Sequence, residues 1–240
     1  ADRPDRLGPD STDAAGILDY WVDIMGIHPD EMPEDVVLGE LDRAEFIGPT
    51  ESLTMRSTGI ESSYDEFGFC MQRARFDDFL RDRAEEAGAT YRVGTSVRGV
   101  ETDLAATDGP RHRLELADGE TVGTDFLILA DGPQRQVTNR VLDAYLPFDV
   151  TDRLSTREAN HIAYQEHRRL PEAVFEDVAG AIKFWWGHMP GHTAYPWIFP
   201  NDDNVARIGL TMPIGLDLDD VADPDAYPLL DPDDDRIPKG

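Results

Sequence analysis

Residues 116–136, LADGETVGTDFLILADGPQRQ, contain the tripeptide Ala-Asp-Gly twice, and their neighbours force the two copies into different structures. Ala117-Asp118-Gly119 lies between RLEL and ETV, where apolar and polar residues alternate. An Asp-Gly pair in that setting makes a tight hairpin, because both turn positions tolerate positive φ. Ala130-Asp131-Gly132 follows FLILA, an apolar run that does not alternate. Such a run suits a strand buried on both faces, as in a parallel sheet. The helical pattern QRQVTNRVL comes next. A buried strand that turns at Asp-Gly into a helix commits this part of the chain to an open α/β layer, whose ligands bind at the carboxyl ends of the strands. Gly132 lets a ligand approach the backbone, and the helix N-terminus favours phosphate. Asp131 either accepts from a ligand hydroxyl such as that of a ribose or simply caps the helix, and the residues alone leave both open.

Around this step the chain alternates between the two periodicities. STDAAGILDYWVDIMGI reads as a helix capped by Ser11 or Thr12, with Ile17, Leu18, Trp21, Ile24 and Met25 on one face. VVLGEL, AEFIGP, SLTMRST and FGFCMQR, between residues 36 and 73, read as short antiparallel strands separated by Gly and Pro. RARFDDFLRDRAEEAGA carries Phe76, Phe79, Leu80, Ala84 and Ala87 at helical spacing, with Gly88 as the stop. TYRVGTSVRGVETD reads as a further strand, QRQVTNRVLDAYL as a short helix, and the segment after Pro147 as a run of strands. This order predicts an α/β fold in which a partial nucleotide-binding layer is interleaved with a mainly antiparallel sheet, with a boundary near Pro147.

Charge narrows the range of functions. The formal net charge is −27, and the only lysines are Lys183 and Lys239. Such a field repels nucleic acid, so no nucleic-acid partner is expected. With 40% hydrophobic residues, four Trp and ten Phe, the chain has the means to pack a core. An acidic surface over a packed core resembles proteins of salt-loving microbes, where high ionic strength screens the self-repulsion. Cys70 is the only cysteine, which excludes an intrachain disulfide and a cysteine-based metal cluster and fits a small buried residue. His188 and His192 are four apart, but Pro190 and Gly191 between them make a loop rather than a helical zinc pair, so no metal is expected. No signal peptide or membrane-spanning run stands out, and a cytoplasmic location is expected.

TDFLILADGPQRQVTNRVL resembles the second signature of flavoproteins with the p-hydroxybenzoate hydroxylase fold: an apolar strand, Asp-Gly, a polar residue, Ser, and an Arg three further on. Asp131 and Gly132 match, while Arg135 stands where Ser is usual and Thr138 where Arg is usual. MQRARFDDFLRDRAEEAGA is similar to the Arg-x-x-Phe-Asp helix of the same group, with Arg73 at the position that lies near the cofactor in relatives. GHTAYPWIFPNDDNVARIGLTMPIG resembles the Tyr-x-Trp-x-Phe-Pro…Val-Gly-x-Gly motif of geranylgeranyl reductases, FAD enzymes that saturate double bonds of isoprenoid chains, those of archaeal lipids included. Tyr195, Trp197, Phe199, Pro200 and Gly209 match, and Thr211 replaces the last Gly. By strand alternation Tyr195, Trp197 and Phe199 share a face, and with Trp185 and Trp186 beside them they form either a slot for a long apolar ligand or plain sheet core.

The resemblance implies FAD as cofactor, with Arg73, Asp131 and Gly132 on its side. It places Trp185, Trp186, Tyr195, Trp197, Phe199, Pro200 and Gly209 on the side of an isoprenoid or other apolar substrate. It further implies an electron donor, a ferredoxin or a reduced nucleotide, and transient contact with a membrane surface when the substrate is a lipid. Residues 1–150 are then a partial FAD-binding domain and residues 151–240 an antiparallel substrate-binding domain with an acidic tail. The strands at 36–71 belong to either. The family's Gly-x-Gly-x-x-Gly fingerprint is not found, so the chain reads as the central part of a longer protein. No catalytic acid or base stands out. A monooxygenase or halogenase of the same fold, and a non-catalytic interaction module, are the alternatives.

Overall fold

The computed structural model describes residues 15–145, 160–191, 194–214 and 221–227. The chain divides into two compact units: one contains Arg92–Asn160, and the other ends at Tyr91 and resumes at His161.

The second of these is built on a six-stranded sheet whose strands come from both ends of the described chain. Strands β3 (Arg43–Ile47) and β4 (Ser52–Met55) form an antiparallel pair. Their partners are β9 (His161–Arg169), β10 (Ala181–Trp185), β11 (Tyr195–Pro200) and β12 (Val205–Pro213). The order is β4-β3-β10-β11-β12-β9. All pairings are antiparallel except β3 with β10, in which Ala44 lies beside Ile182 and Phe46 beside Phe184.

A three-stranded sheet packs on this one, in the order β1 (Gly16–Leu18), β5 (Gly68–Met71), β2 (Val37–Leu41). All four residues of β5 are buried, and alternation explains why. Cys70 joins Leu41, Ala44, Phe67, Ile182, Trp197 and Phe199 in the layer between the sheets. Phe69 and Met71 point the other way, into a cluster with Val22 of α1 (Asp19–Met25) and Phe76 of α2 (Arg73–Glu86). Arg207 of β12 ties the layers together. It is only 1% exposed, and its guanidinium donates to the Met71 carbonyl at 2.8 Å and to Gln72 Oε1 at 2.5 Å. Helix α2 ends as its sequence requires: Gly88 has φ +95°, its N–H bonds to Glu85, and the N–H of Ala89 bonds back to Ala84, closing a Schellman motif.

The unit around Arg92–Asn160 holds a meander of β6 (Val97–Thr102), β7 (His112–Leu116) and β8 (Thr121–Thr124), followed by α3 (Gln136–Tyr145). The first Ala-Asp-Gly is the expected hairpin turn, with Gly119 at φ +88° and its N–H bonded to the Leu116 carbonyl at 3.0 Å.

Four sequence expectations are corrected. The helix expected over residues 11–27 is shorter, because residues 16–18 pair with β5 as a strand. Its buried face carries Val22 and not Trp21 or Ile24, which are exposed; its caps Ser11 and Thr12 lie outside the described residues. FLILA is not a buried strand: residues 126–130 have no ladder partner, and Phe126 and Ile128 are 83% and 89% exposed. A strand buried on both faces needs neighbours on both edges, and none of the described strands lies beside it. TYRVGTSVRGVETD is a strand only from Val97 onward. Helix α4 (Glu172–Val178) was not anticipated; it starts after Pro171 and packs Phe175 and Val178 against Ile198 and Trp185.

Candidate functional site

The main candidate surface is one face of the six-stranded sheet. Along β11, Tyr195, Trp197 and Phe199 alternate with Pro196, Ile198 and Pro200, so the three aromatic rings share a face. Phe184 lies opposite Trp197 in the ladder, and Phe46 lies beside Phe184. The rings touch in sequence: Phe46 stacks on Phe184 at 5.5 Å between centroids, and Phe184 meets Phe199 edge-on at 5.7 Å and Tyr195 at 5.7 Å. Tyr195 meets Trp197 at 6.0 Å, and Trp186 meets Phe46 at 4.9 Å. These separations are those of favourable aromatic pairs.

Two cavities open on this face. One, of about 930 Å³, is lined by Phe46, Phe184, Phe199, Trp21, Met55 and Arg73, among others. The other, of about 590 Å³, is lined by Trp186, Met189, Gly191, Ala194, Tyr195 and Tyr227. Among the described residues, Arg73 is the only charged one lining either cavity. Its Nε bonds to Asp77 one helical turn on, at 2.7 Å.

Gly209 faces Trp197 across the ladder. A Cβ there would sit 2.6 Å from Trp197 Cζ2 and 2.6 Å from the Tyr164 carbonyl oxygen. Glycine is needed because the indole edge and the β9 backbone leave no room for a methyl group. The structure brings Trp186, Tyr195, Phe199 and Arg73 to the walls of the two cavities, while Trp197, in the core between the sheets, and Gly209 opposite it share the sheet face but line neither. It turns Trp185 to the opposite face, under α4, and alternation sends Pro200 to that face too. Phe46 and Met55, which complete the wall, were missed; their signal was the alternation of AEFIGP and SLTMRST, visible once β3 is known to pair with β10.

On the opposite face Lys183 is buried, with Glu45 at 3.2 Å and Asp177 at 3.4 Å, and Arg43 holds the same Glu45 at 2.6 Å. Burial alone would raise the Glu45 carboxyl, but the hydrogen bonds from Arg43 and Lys183 outweigh it and hold the group below its ordinary range. Cys70 is buried between the sheets; desolvation pushes its thiol up to about 12, against a smaller opposing pull from the Arg207 charge. Among the described residues no group of three His, Cys, Asp or Glu is placed to hold a metal ion. His192 lies outside them. No described helix is long and apolar enough to cross a membrane.

In the other unit, Asp131 caps α3. Its Oδ2 accepts from the backbone N–H of Val137 at 2.6 Å and of Thr138 at 3.1 Å, and the Thr138 hydroxyl donates to Oδ1. Desolvation raises this carboxyl, and the three donors overcome it and leave it below its ordinary value. Gly132 has φ +80°, and apart from its chain neighbours no atom of the described residues lies within 4 Å of where a Cβ would stand. Among the described residues, nothing covers its backbone on that side.

The family model described as tryptophan halogenase matches residues 16–186, well over half of the chain. The chain belongs to this family. Its curated relatives include the geranylgeranyl diphosphate reductase of Synechocystis sp., 27% identical over 73% of this chain and 41% of that protein. They also include the digeranylgeranylglycerophospholipid reductase of Methanoculleus marisnigri, 24% identical over 72% of this chain and 40% of that protein. The chain thus spans less than half the length of these relatives. Among solved structures it resembles a geranylgeranyl bacteriochlorophyll reductase-like protein from Thermoplasma acidophilum, with a TM-score of 0.67 at 20% identity, over 90% of this chain and 50% of that one. The fold is that of FAD-binding flavoproteins, and the family resemblance read from the sequence to the geranylgeranyl reductases holds.

Proposed function

We propose that the whole protein is an FAD-dependent oxidoreductase that saturates double bonds of an isoprenoid chain. The observation that carries this reading is the continuous aromatic wall from Phe46 through Phe184 to Tyr195 and Phe199, facing two apolar cavities. Such a wall offers van der Waals contact along a long chain and excludes water from it. FAD, when bound, supplies the hydride chemistry. Gly132 offers it an unobstructed backbone, and Asp131 acts from behind by fixing the N-terminus of α3. Arg73 contributes a positive charge at the rim of the larger cavity. Trp186, Tyr195 and Phe199 hold the chain, and Trp197 backs them from the core, its ring held close to the β12 backbone by Gly209. Saturating one double bond consumes a hydride and a proton; the electrons come from a ferredoxin or a reduced nicotinamide nucleotide. The work is assigned to the cytoplasm, with transient contact at a membrane surface when the substrate is a lipid.

The full-length protein should purify yellow, with a flavin spectrum. After anaerobic reduction it should convert geranylgeraniol to products heavier by dihydrogen per double bond. A full-length protein that has no flavin, and takes up none when FAD is added, refutes the proposal. The description of the matched family favours a second reading, oxidation or halogenation of a flat aromatic substrate. That reading requires oxygen consumption coupled to NAD(P)H when an aromatic substrate such as tryptophan is added.

A further inference from the structure

The two cavities on the aromatic face are divided by a closed ring of four side chains. Phe46 and Phe184 line the larger cavity, and Trp186 and Tyr195 line the smaller. Across the boundary Phe46 meets Trp186 at 4.9 Å and Phe184 meets Tyr195 at 5.7 Å. On either side of it Phe46 stacks on Phe184 at 5.5 Å, and Trp186 meets Tyr195 at 6.4 Å. The four members are not equally fixed. Phe46, Phe184 and Tyr195 are partly buried and packed against the core between the sheets. Trp186 is 50% exposed. Its backbone is pinned, since its N–H bonds to the Ile47 carbonyl at 2.9 Å and continues the β3–β10 ladder. The indole therefore has room to swing about its own side-chain bonds without moving the sheet.

We propose that Trp186 is a specificity-determining gate that sets the length of apolar chain the site accepts. This rests on the isoprenoid reading above and adds to it a mechanism of selection. A chain that occupies the larger cavity gains about fourfold in binding for each methylene it buries there. At the boundary the gain stops. Further progress requires the Trp186 ring to leave Phe46 and Tyr195, and each lost ring pair weakens binding by roughly twofold to tenfold. Beyond the gate the smaller cavity, with Met189 and Tyr227 on its wall, takes the end of the chain.

The test measures equilibrium binding of tritium-labelled geraniol, farnesol and geranylgeraniol to the full-length, flavin-loaded protein. Wild type should gain less in affinity from farnesol to geranylgeraniol than from geraniol to farnesol. Trp186→Ala should raise the affinity for geranylgeraniol relative to geraniol about tenfold over the wild-type ratio. Trp186→Phe, which keeps a ring at the boundary, should retain the wild-type profile. Phe46→Leu removes the ring from the other side and should raise the geranylgeraniol-to-geraniol affinity ratio in the same direction, so a folding defect in one variant does not decide the matter. Length profiles that coincide in wild type, Trp186→Ala and Phe46→Leu overturn the gate while leaving the isoprenoid reading intact. Failure of all three alcohols to bind wild type overturns the isoprenoid reading, and the gate with it.

Discussion

Gly209→Ala is the sharpest probe of how the aromatic face is held. The added methyl carbon would stand 2.6 Å from Trp197 Cζ2, 2.7 Å from Gln165 Cβ and 2.6 Å from the Tyr164 carbonyl oxygen. Carbon pairs rest at about 3.5–4.0 Å, so the two carbon contacts must each open by about 1 Å. Neither side yields easily. Tyr164 and Gln165 belong to β9, whose ladder with β12 runs unbroken from His161 to Arg169, and Trp197 is buried in the layer between the sheets. Overpacking of this kind costs about 1–3 kcal/mol, and with a backbone carbonyl in the clash the upper end, about 3 kcal/mol, is expected. For a chain of this size that lowers Tm by about 6–12 °C. All four tryptophans, Trp21, Trp185, Trp186 and Trp197, lie outside the Arg92–Asn160 unit. Tryptophan fluorescence of this 240-residue chain in a urea titration therefore follows the environment of the aromatic-sheet unit. A midpoint shift corresponding to less than about 0.5 kcal/mol, the range of ordinary surface substitutions, would show that the indole has slack and that glycine is not required there.

Three further outcomes follow from the same geometry. Asp131→Ala removes the cap of α3 and should cost about 1 kcal/mol. The α3 amides should exchange with deuterium about fivefold faster. Cys70 has its folded pKa raised from 9.0 to about 12 by burial, so the fold favours the protonated thiol. That contribution is complete below pH 9 and is lost as the pH rises toward 12; the urea midpoint of wild type should fall over this window more steeply than that of Cys70→Ala, and alkylating reagents at neutral pH should modify Cys70 only after unfolding. Lys183→Met should cost about 1–2 kcal/mol rather than the roughly 3–5 kcal/mol of an isolated buried pair, because Glu45 keeps Arg43 at 2.6 Å. Glu45 is lowered in the folded state, so its contribution holds at neutral pH and disappears as the pH falls through that lowered value; the variant should show a weaker acid dependence by the same titration.

Local signals in the sequence account for the elements that complete themselves. Helix α2 carries its own stop in Gly88, and the β7–β8 hairpin carries its own turn in Asp118-Gly119, so both are readable without knowing the rest of the fold. The misreadings fall where a neighbour decides. Residues 16–18 have a helical pattern, yet they become a strand because β5 offers an edge to pair with. FLILA has the composition of a central strand, but composition cannot supply the flanking strands, and among the described residues the segment is exposed. Helix α4 is only seven residues long, and its apolar positions make sense only against β10 and β11.

The candidate site shows the same division between what alternation encodes and what only pairing reveals. Period two along YPWIFP already puts Tyr195, Trp197 and Phe199 on one face. It also separates Trp185 from Phe184 and Trp186, a consequence that grouping Trp185 with Trp186 overlooks. Which face meets the small sheet is decided elsewhere, by the parallel pairing of β3 with β10. That pairing sets Phe46 beside Phe184, and the continuation of the ladder through Trp186 to Ile47 brings the Trp186 ring to Phe46. A chain-length gate therefore depends on one parallel register between segments about 140 residues apart. A slip of one residue would move Phe184 and Trp186 to the Lys183 face and leave the charged Lys183 against the aromatic wall, a substitution of ion pair for apolar slot that no motif along β10 alone would reveal.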